Sequence, residues 1–147
     1  METLVLDASI VVKWVVEEEG TKQALELRNR YRFIAPDLLV AECANILWKK
    51  VQRGELQPDE ARLAAQLLQK ANIELLGMRG LLDEATRLAI SLGHPAYDCV
   101  YLALSLQRKQ RFVTADERLL HIVRQKAAKE IASGCLSLHE IHTGKFA

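Results

Sequence analysis

The sequence predicts an α/β fold: three layers, with a central parallel sheet of four to five short strands between helices. Two observations predict it. Short apolar runs, rich in branched side chains and without polar alternation, read as strands buried on both faces. These runs alternate with helical patterns along the chain, as crossover connections between parallel strands require. No repeat, low-complexity stretch or linker interrupts them, so residues 1–147 read as a single domain.

Each element has its own signal. Thr3 to Leu6 is an apolar run, read as a buried strand. Ala8 to Val16 looks helical and is broken by Gly20. Thr21 to Tyr31 is amphipathic, with Ala24, Leu25 and Leu27 inward. Phe33 to Ala35 is a short strand. Pro36 suits the first position of a helix that runs to about Arg53, where Gly54 stops it. Gln57-Pro58-Asp59-Glu60 starts another helix, with acids in the first turn as the macrodipole favours. Ile73 to Leu76 is a third strand. Leu81 to Leu92 is a helix ended by Gly93, and Pro95 opens the next, which closes on the polar run Gln107 to Arg111. Phe112 to Thr114 is a fourth strand before a helix from about Glu117. Cys135 to Leu138 reads as a fifth. Ser137 and Glu140 spell a capping box, so His139 and His142 belong to a helix start rather than a zinc site.

The totals set bounds. A chain of 147 residues, half of them hydrophobic, can bury one full core. The net charge of +1 gives no global basic character, so attraction to nucleic acid would have to come from local patches and from metal. No apolar run approaches the roughly 20 residues of a membrane span. The N-terminus lacks the pattern of a signal peptide. Cys43, Cys99 and Cys135 are odd in number, widely spaced and set among apolar neighbours, which predicts reduced, buried thiols in a cytoplasmic protein.

Four acids stand in apolar surroundings. Asp7 closes Leu4-Val5-Leu6, Glu42 shares a helical stripe with Leu38, Leu39 and Ile46, Asp98 shares one with Tyr101 and Leu102, and Asp116 follows Phe112 to Ala115. A carboxylate so placed is costly unless it is paired, protonated or bound to a cation. Asp7 and Asp116 each precede a helix, so each alone reads as an N-cap, and one side chain can do both jobs. Asp98 alone reads as a complement to its helix dipole, which does not explain its apolar company. Glu42 is harder to dismiss, and Asn45 lies one turn on. The remaining acids look ordinary: Glu17-Glu18-Glu19 reads as a solvated run, and Asp59, Glu60, Asp83 and Glu84 fall in first turns. Ligands bind beyond the carboxyl ends of parallel strands, where Asp7 and Asp116 fall. Oxygen-only ligands suit Mg²⁺ or Mn²⁺, so the four acids predict a metal-dependent hydrolase.

The residues also resemble a known family. Leu6-Asp7-Ala8-Ser9 with Val12-Lys13-Trp14, Pro36-Asp37-Leu38 through Glu42 and Asn45, Tyr97 through Leu104, and Phe112-Val113-Thr114-Ala115-Asp116 occur in the order seen in PIN-domain proteins. The chain is most similar to the VapC-type toxins of prokaryotic toxin–antitoxin pairs. The resemblance implies the PIN-like three-layer fold and a Mg²⁺- or Mn²⁺-dependent endoribonuclease. It implies metal-site and catalytic roles for Asp7, Glu42, Asp98 and Asp116, and supporting roles for Ser9, Asn45 and Thr114. It also implies a small antitoxin partner and a homodimer, for which apolar surplus around Trp14 and from Leu63 to Leu68 is the sequence motive. Candidate RNA contacts are Lys13, Lys49, Arg108 and Lys109, with Lys50, Arg53 and Arg111 behind them; each also reads as a solvated helix face. Trp14 could stack a base or sit in the core. Two rivals stand beside this reading. A non-catalytic PIN-like module would keep only the fold. An aspartyl-phosphate enzyme would use Asp7 as nucleophile, but it wants a second Asp where this chain has Ser9.

Overall fold

The computed structural model describes residues 1–143. Its sheet has five strands: β1 (Thr3–Leu6), β2 (Arg32–Pro36), β3 (Glu74–Leu76), β4 (Phe112–Thr114) and β5 (Cys135–Ser137), in the order β3-β2-β1-β4-β5. Every neighbouring pair is parallel. Leu4, Val5 and Leu6 are successive residues of β1 and all are 0% exposed. Successive strand residues point to opposite faces, so both faces of the central strand are covered and the fold has three layers.

Among the described residues nine helices surround the sheet: α1 (Ala8–Val11), α2 (Thr21–Leu27), α3 (Leu38–Gln52), α4 (Pro58–Gln69), α5 (Leu82–Leu92), α6 (Ala96–Arg108), α7 (Glu117–Lys126), α8 (Lys129–Ala132) and α9 (Leu138–Thr143). α6 packs on β1, β2 and β4 and against α5, while α3 packs on β2, α1 and α4. α6 places Cys99, Tyr101, Leu102, Ala103 and Leu104 in the core, which fixes its rotation and so the direction of Asp98. Gly93 ends α5 in the left-handed region, at φ 62°, as its sequence position predicts. The Ser137–Glu140 capping box forms reciprocally at the start of α9. All three cysteines are free and buried. No helix of the described residues is long and apolar enough to cross a membrane.

Several sequence expectations change. Pro36 is the last residue of β2, paired with Leu76, and not the first of a helix. A proline at a strand end gives up no ladder donor that the fold needs, and Asp37 N–H supplies the next bond, 2.9 Å to Leu76 O. α2 stops at Leu27, four residues before Tyr31. The segment after Asp7 splits into α1 and a 3-10 turn over Val12–Trp14. The short α8 had no signal in the sequence. Glu18 is not part of a solvated run: it accepts from Lys50, which is buried, at 2.6 Å and from Lys13 at 3.3 Å. Trp14 belongs to the core. It is 8% exposed, its ring lies 5.1 Å from that of Phe33, and its Nε1 donates to Ala24 O at 2.8 Å. A tryptophan held by both its face and its N–H is not free to stack a base or to form a dimer face.

Candidate active site

The topology creates the site. From β1 the chain steps outward through β2 and β3, then returns to place β4 on the other side of β1. The carboxyl ends of β1 and β4 therefore flank the point where the winding reverses, the usual place for a ligand crevice in an open parallel sheet. Asp7 follows β1 and Asp116 follows β4. α3 brings Glu42 over the same end from its second turn, and α6 brings Asp98 in its first turn, where the helix dipole favours an anion. All four line one cleft of about 460 Å³, together with Ser9, Asn45, Lys49 and Tyr97.

Asp7 is the most enclosed of the four, at 5% exposed. It caps α1, accepting from Ser9 N–H at 3.1 Å, and the hydroxyls of Ser9 and Thr114 donate to its Oδ1 and Oδ2. Thr114 Oγ1 accepts from Asp116 N–H at 3.0 Å, and Ser9 Oγ accepts from Ala115 N–H at 2.9 Å. Ser9 and Thr114 thus lace the ends of β1 and β4 together around one carboxylate. Burial pushes the Asp7 carboxyl up from 3.8 to about 7; the two hydroxyl bonds oppose this, and the charges of Asp98 and Glu42 add to it.

The other acids are also held. Tyr101 Oη donates to Glu42 Oε1 at 2.6 Å. Burial raises the Glu42 carboxyl, Tyr101 pulls it back and Asp98 adds to the rise. Burial and the Glu42 carboxylate keep the Tyr101 phenol protonated, so it remains a donor. His94 Nε2 lies 2.6 Å from Asp98 Oδ2, a bond in which the ring donates. Asp116 caps α7 through Oδ1, 3.0 Å from Arg118 N and 3.1 Å from Leu119 N. Neither His94 nor the Tyr101 hydroxyl was assigned to the site from sequence. The available signals were weak: His94 lies one helical turn before Asp98 but across Pro95, and Tyr101 shares the Asp98 stripe.

The candidate RNA contacts separate. Lys49 lines the cleft. Lys13 is committed to Glu18 and to Glu19 O, at 2.6 Å, and Lys50 is buried on Glu18. Arg108 and Lys109 end α6, ten residues and about 15 Å of helix from Asp98. The fold does not bring them to the cleft.

The donor chemistry fits a hard divalent cation, since carboxylate and hydroxyl oxygens make up most of the polar groups that line the cleft. As placed, with each carboxylate turned toward a protein donor, no three Asp, Glu, His or Cys side chains among the described residues close into a ligand set. The mutual repulsion written into the Asp7 and Glu42 shifts is the charge that a cation would neutralise. The Cys43 thiol beside Glu42 is pushed up to about 12, chiefly by burial, which leaves it inert as a nucleophile.

Comparison with known proteins bears on the family and the fold. The PIN domain family model matches residues 4–125. Ribonuclease VapC3 of Pyrobaculum aerophilum is 32% identical over 119 residues, which span 79% of this chain and 91% of that protein. Among solved structures, PAE2754 from Pyrobaculum aerophilum superposes with a TM-score of 0.71 at 20% identity, over 97% of this chain and 88% of that one. A toxin–antitoxin complex from Klebsiella pneumoniae gives 0.58 at 12% identity, over 92% and 97%. These two share the fold.

Proposed function

The chain belongs to the PIN-domain family, and from that premise we propose that it is a divalent-metal-dependent endoribonuclease, the toxin of a VapBC-type toxin–antitoxin pair acting in the cytoplasm. The observation that carries the reading is Asp7, a carboxylate enclosed at the end of the central strand, sharing one cleft with three further acids. Asp7 and Asp98 would hold Mg²⁺ or Mn²⁺ directly, Asp116 directly or through water, and Glu42 would complete the shell. Bound there, the ion supplies charge neutralisation at a phosphodiester and a water of lowered pKa.

The chain's own residues do the positioning. Ser9 and Thr114 fix both oxygens of Asp7, His94 fixes Oδ2 of Asp98 and Tyr101 fixes Oε1 of Glu42. Asp116 spends Oδ1 on its cap. Asn45 adds an amide to the cleft wall, and Lys49 adds a positive charge for a phosphate oxygen. No protein nucleophile is required.

The substrate is read as single-stranded or looped RNA, whose unstacked backbone aligns more easily for in-line attack than a duplex. A labelled RNA loop incubated with the purified protein is expected to be cut in Mg²⁺ or Mn²⁺, spared in EDTA, and cut again on adding back either ion. Cleavage that persists in excess chelator overturns the mechanism.

Partner surfaces follow from exposure. Leu63 and Leu67 of α4 are more than half exposed, as are Val40 and Trp48 of α3. Between these helices lies a cleft of about 520 Å³ lined by Val40, Leu47, Leu68 and Leu75, an apolar seat for an antitoxin helix. A homodimer would cover further apolar surface, and light scattering at micromolar concentration should return twice the chain mass. A monodisperse monomer would remove the dimer from the reading.

A further inference from the structure

In this chain the two poles of the sheet differ in charge. The acids of the cleft lie at the carboxyl ends of the strands. The amino ends carry the opposite sign: Arg28, Arg30 and Arg32 lead into β2, Lys70 closes α4 before β3, and Arg108 and Lys109 close α6 before β4. Of the carboxylates at these strand starts, Glu2 is bonded twice to Arg111 at 2.7 Å, which leaves Glu74. A net charge of +1 hides this separation.

At this pole lies a groove of about 930 Å³, lined by Arg28, Asn29, Tyr31, Arg32, Asn72 and Glu74. The Arg28 guanidinium stacks 5.1 Å over the Trp14 ring, and that of Arg30 lies 5.8 Å over Tyr31. Stacking fixes the plane of a guanidinium and leaves its edge donors free. Among the described residues, Arg28, Arg30 and Arg32 are in no ion pair. In the groove itself the held Arg28 plane and the exposed Arg32, neither with a carboxylate partner, stand beside the Tyr31 ring and two amides, a set that suits phosphates and bases.

The acidic cleft itself is poor at holding RNA. Lys49 is the one cation among its lining residues, and four carboxylates repel phosphate. Backbone affinity has to come from elsewhere on the surface. We propose that the groove of Arg28, Tyr31 and Arg32 at the amino ends of the strands is a second RNA-binding site, which docks the flanking backbone of a long substrate away from the scissile bond. The proposal rests on the endoribonuclease reading. Its occupant is RNA rather than an acidic peptide because the outer face of the Arg28 plane, with the Asn29 and Asn72 amides beside it, matches bases as well as charge.

The test is fluorescence anisotropy with a labelled 30-nucleotide single-stranded RNA, in EDTA so that nothing is cut. Wild type is compared with Arg28→Gln/Arg32→Gln. The double variant should bind about tenfold more weakly, and its log–log salt slope should fall by about 1 to 2. In Mg²⁺ its KM for the long RNA should rise with kcat unchanged, and cleavage of a tetranucleotide should match wild type. Because Arg28 packs on Trp14, the change Arg32→Glu at an exposed position is the second variant, expected to weaken binding in the same direction at an unchanged melting temperature. Unchanged affinity and salt slope in both variants overturn the proposal. So does a polyglutamate peptide that competes as well as RNA at equal ionic strength, which would assign the groove to an acidic protein segment. Wild type that binds through these arginines but never cleaves would sink the endoribonuclease reading and leave the groove standing.

Discussion

Asp7→Asn is expected to lose RNA cleavage and, without divalent ions, to gain stability at neutral pH. The first effect follows from losing a charged ligand. Metal-ion charge stabilisation contributes several kcal/mol, so the rate should fall by about 10³ or more. The second follows from burial. The Asp7 carboxyl titrates at about 7 in the fold against an ordinary value of 3.8. Well below pH 3.8 both states hold the proton. As pH rises from 4 to 7 the unfolded chain ionises and the folded one resists, so stability is lost through that window, by at most about 4 kcal/mol. Asn still caps α1 and carries no charge, though it forfeits a bond from the Ser9 or Thr114 hydroxyl, worth about 1 kcal/mol. The variant should therefore show no such acid-to-neutral decline and be more stable than wild type by about 2 kcal/mol or more at pH 8 in EDTA. Saturating Mg²⁺ should narrow or reverse the gap, because wild type gains by ligand linkage. Urea melts at pH 5 and pH 8 decide it. Wild-type stability that is flat between them, or a variant weaker at pH 8, would show that Asp7 is comfortably ionised without a cation.

How much of this could be read from the residues depends on the range of the interaction. The strands and most helices were legible because apolar runs, glycine stops and proline starts are local. The four acids were legible because each sits in the wrong company for a solvated side chain, and a parallel sheet fixes which end of a strand faces the ligand. What escaped was pairing at a distance. Tyr101 and Glu42 are 59 residues apart, and no local pattern joins them. Lys13 looked available because its partners, Glu18 and the Glu19 carbonyl, are brought round by a loop. Arg108 and Lys109 share a helix with Asp98, yet a helix has two ends, and this one carries its acid to one pole and its bases to the other. Pro36 misled because proline suits both the first turn of a helix and the end of a strand. The backbone bond from Asp37 to Leu76 selects the strand, and only pairing with β3 reveals it.

Asp98→Asn separates repulsion from pairing. Sequence alone predicts that removing one of four facing carboxylates relieves repulsion, so that the ion-free variant melts at the same temperature as wild type or higher. The structure supplies an opposing contribution. Asp98 accepts from His94 at 2.6 Å, and both side chains are largely shielded from water, at 26% and 14% exposed. Exchanging a charge-assisted bond for a neutral one costs about 1 kcal/mol, of the same order as the relief of repulsion at intermediate dielectric. The expected net change in EDTA is therefore within about 1 kcal/mol of zero, in contrast to the clear gain for Asp7→Asn. Cleavage should still fall by about 10² or more, since a cation ligand is lost whichever way stability moves. A third readout links the two sites. The Asp98 charge helps to hold the Asp7 carboxyl high, so in Asp98→Asn the acid-to-neutral decline in stability should shift to lower pH. A side chain that merely complements its helix dipole would give a different pattern: a loss of roughly 0.3–1 kcal/mol with and without Mg²⁺, an unmoved Asp7 transition and intact cleavage. Retained cleavage together with an unmoved transition would take Asp98 out of the site and leave Asp7, Glu42 and Asp116 to hold the ion.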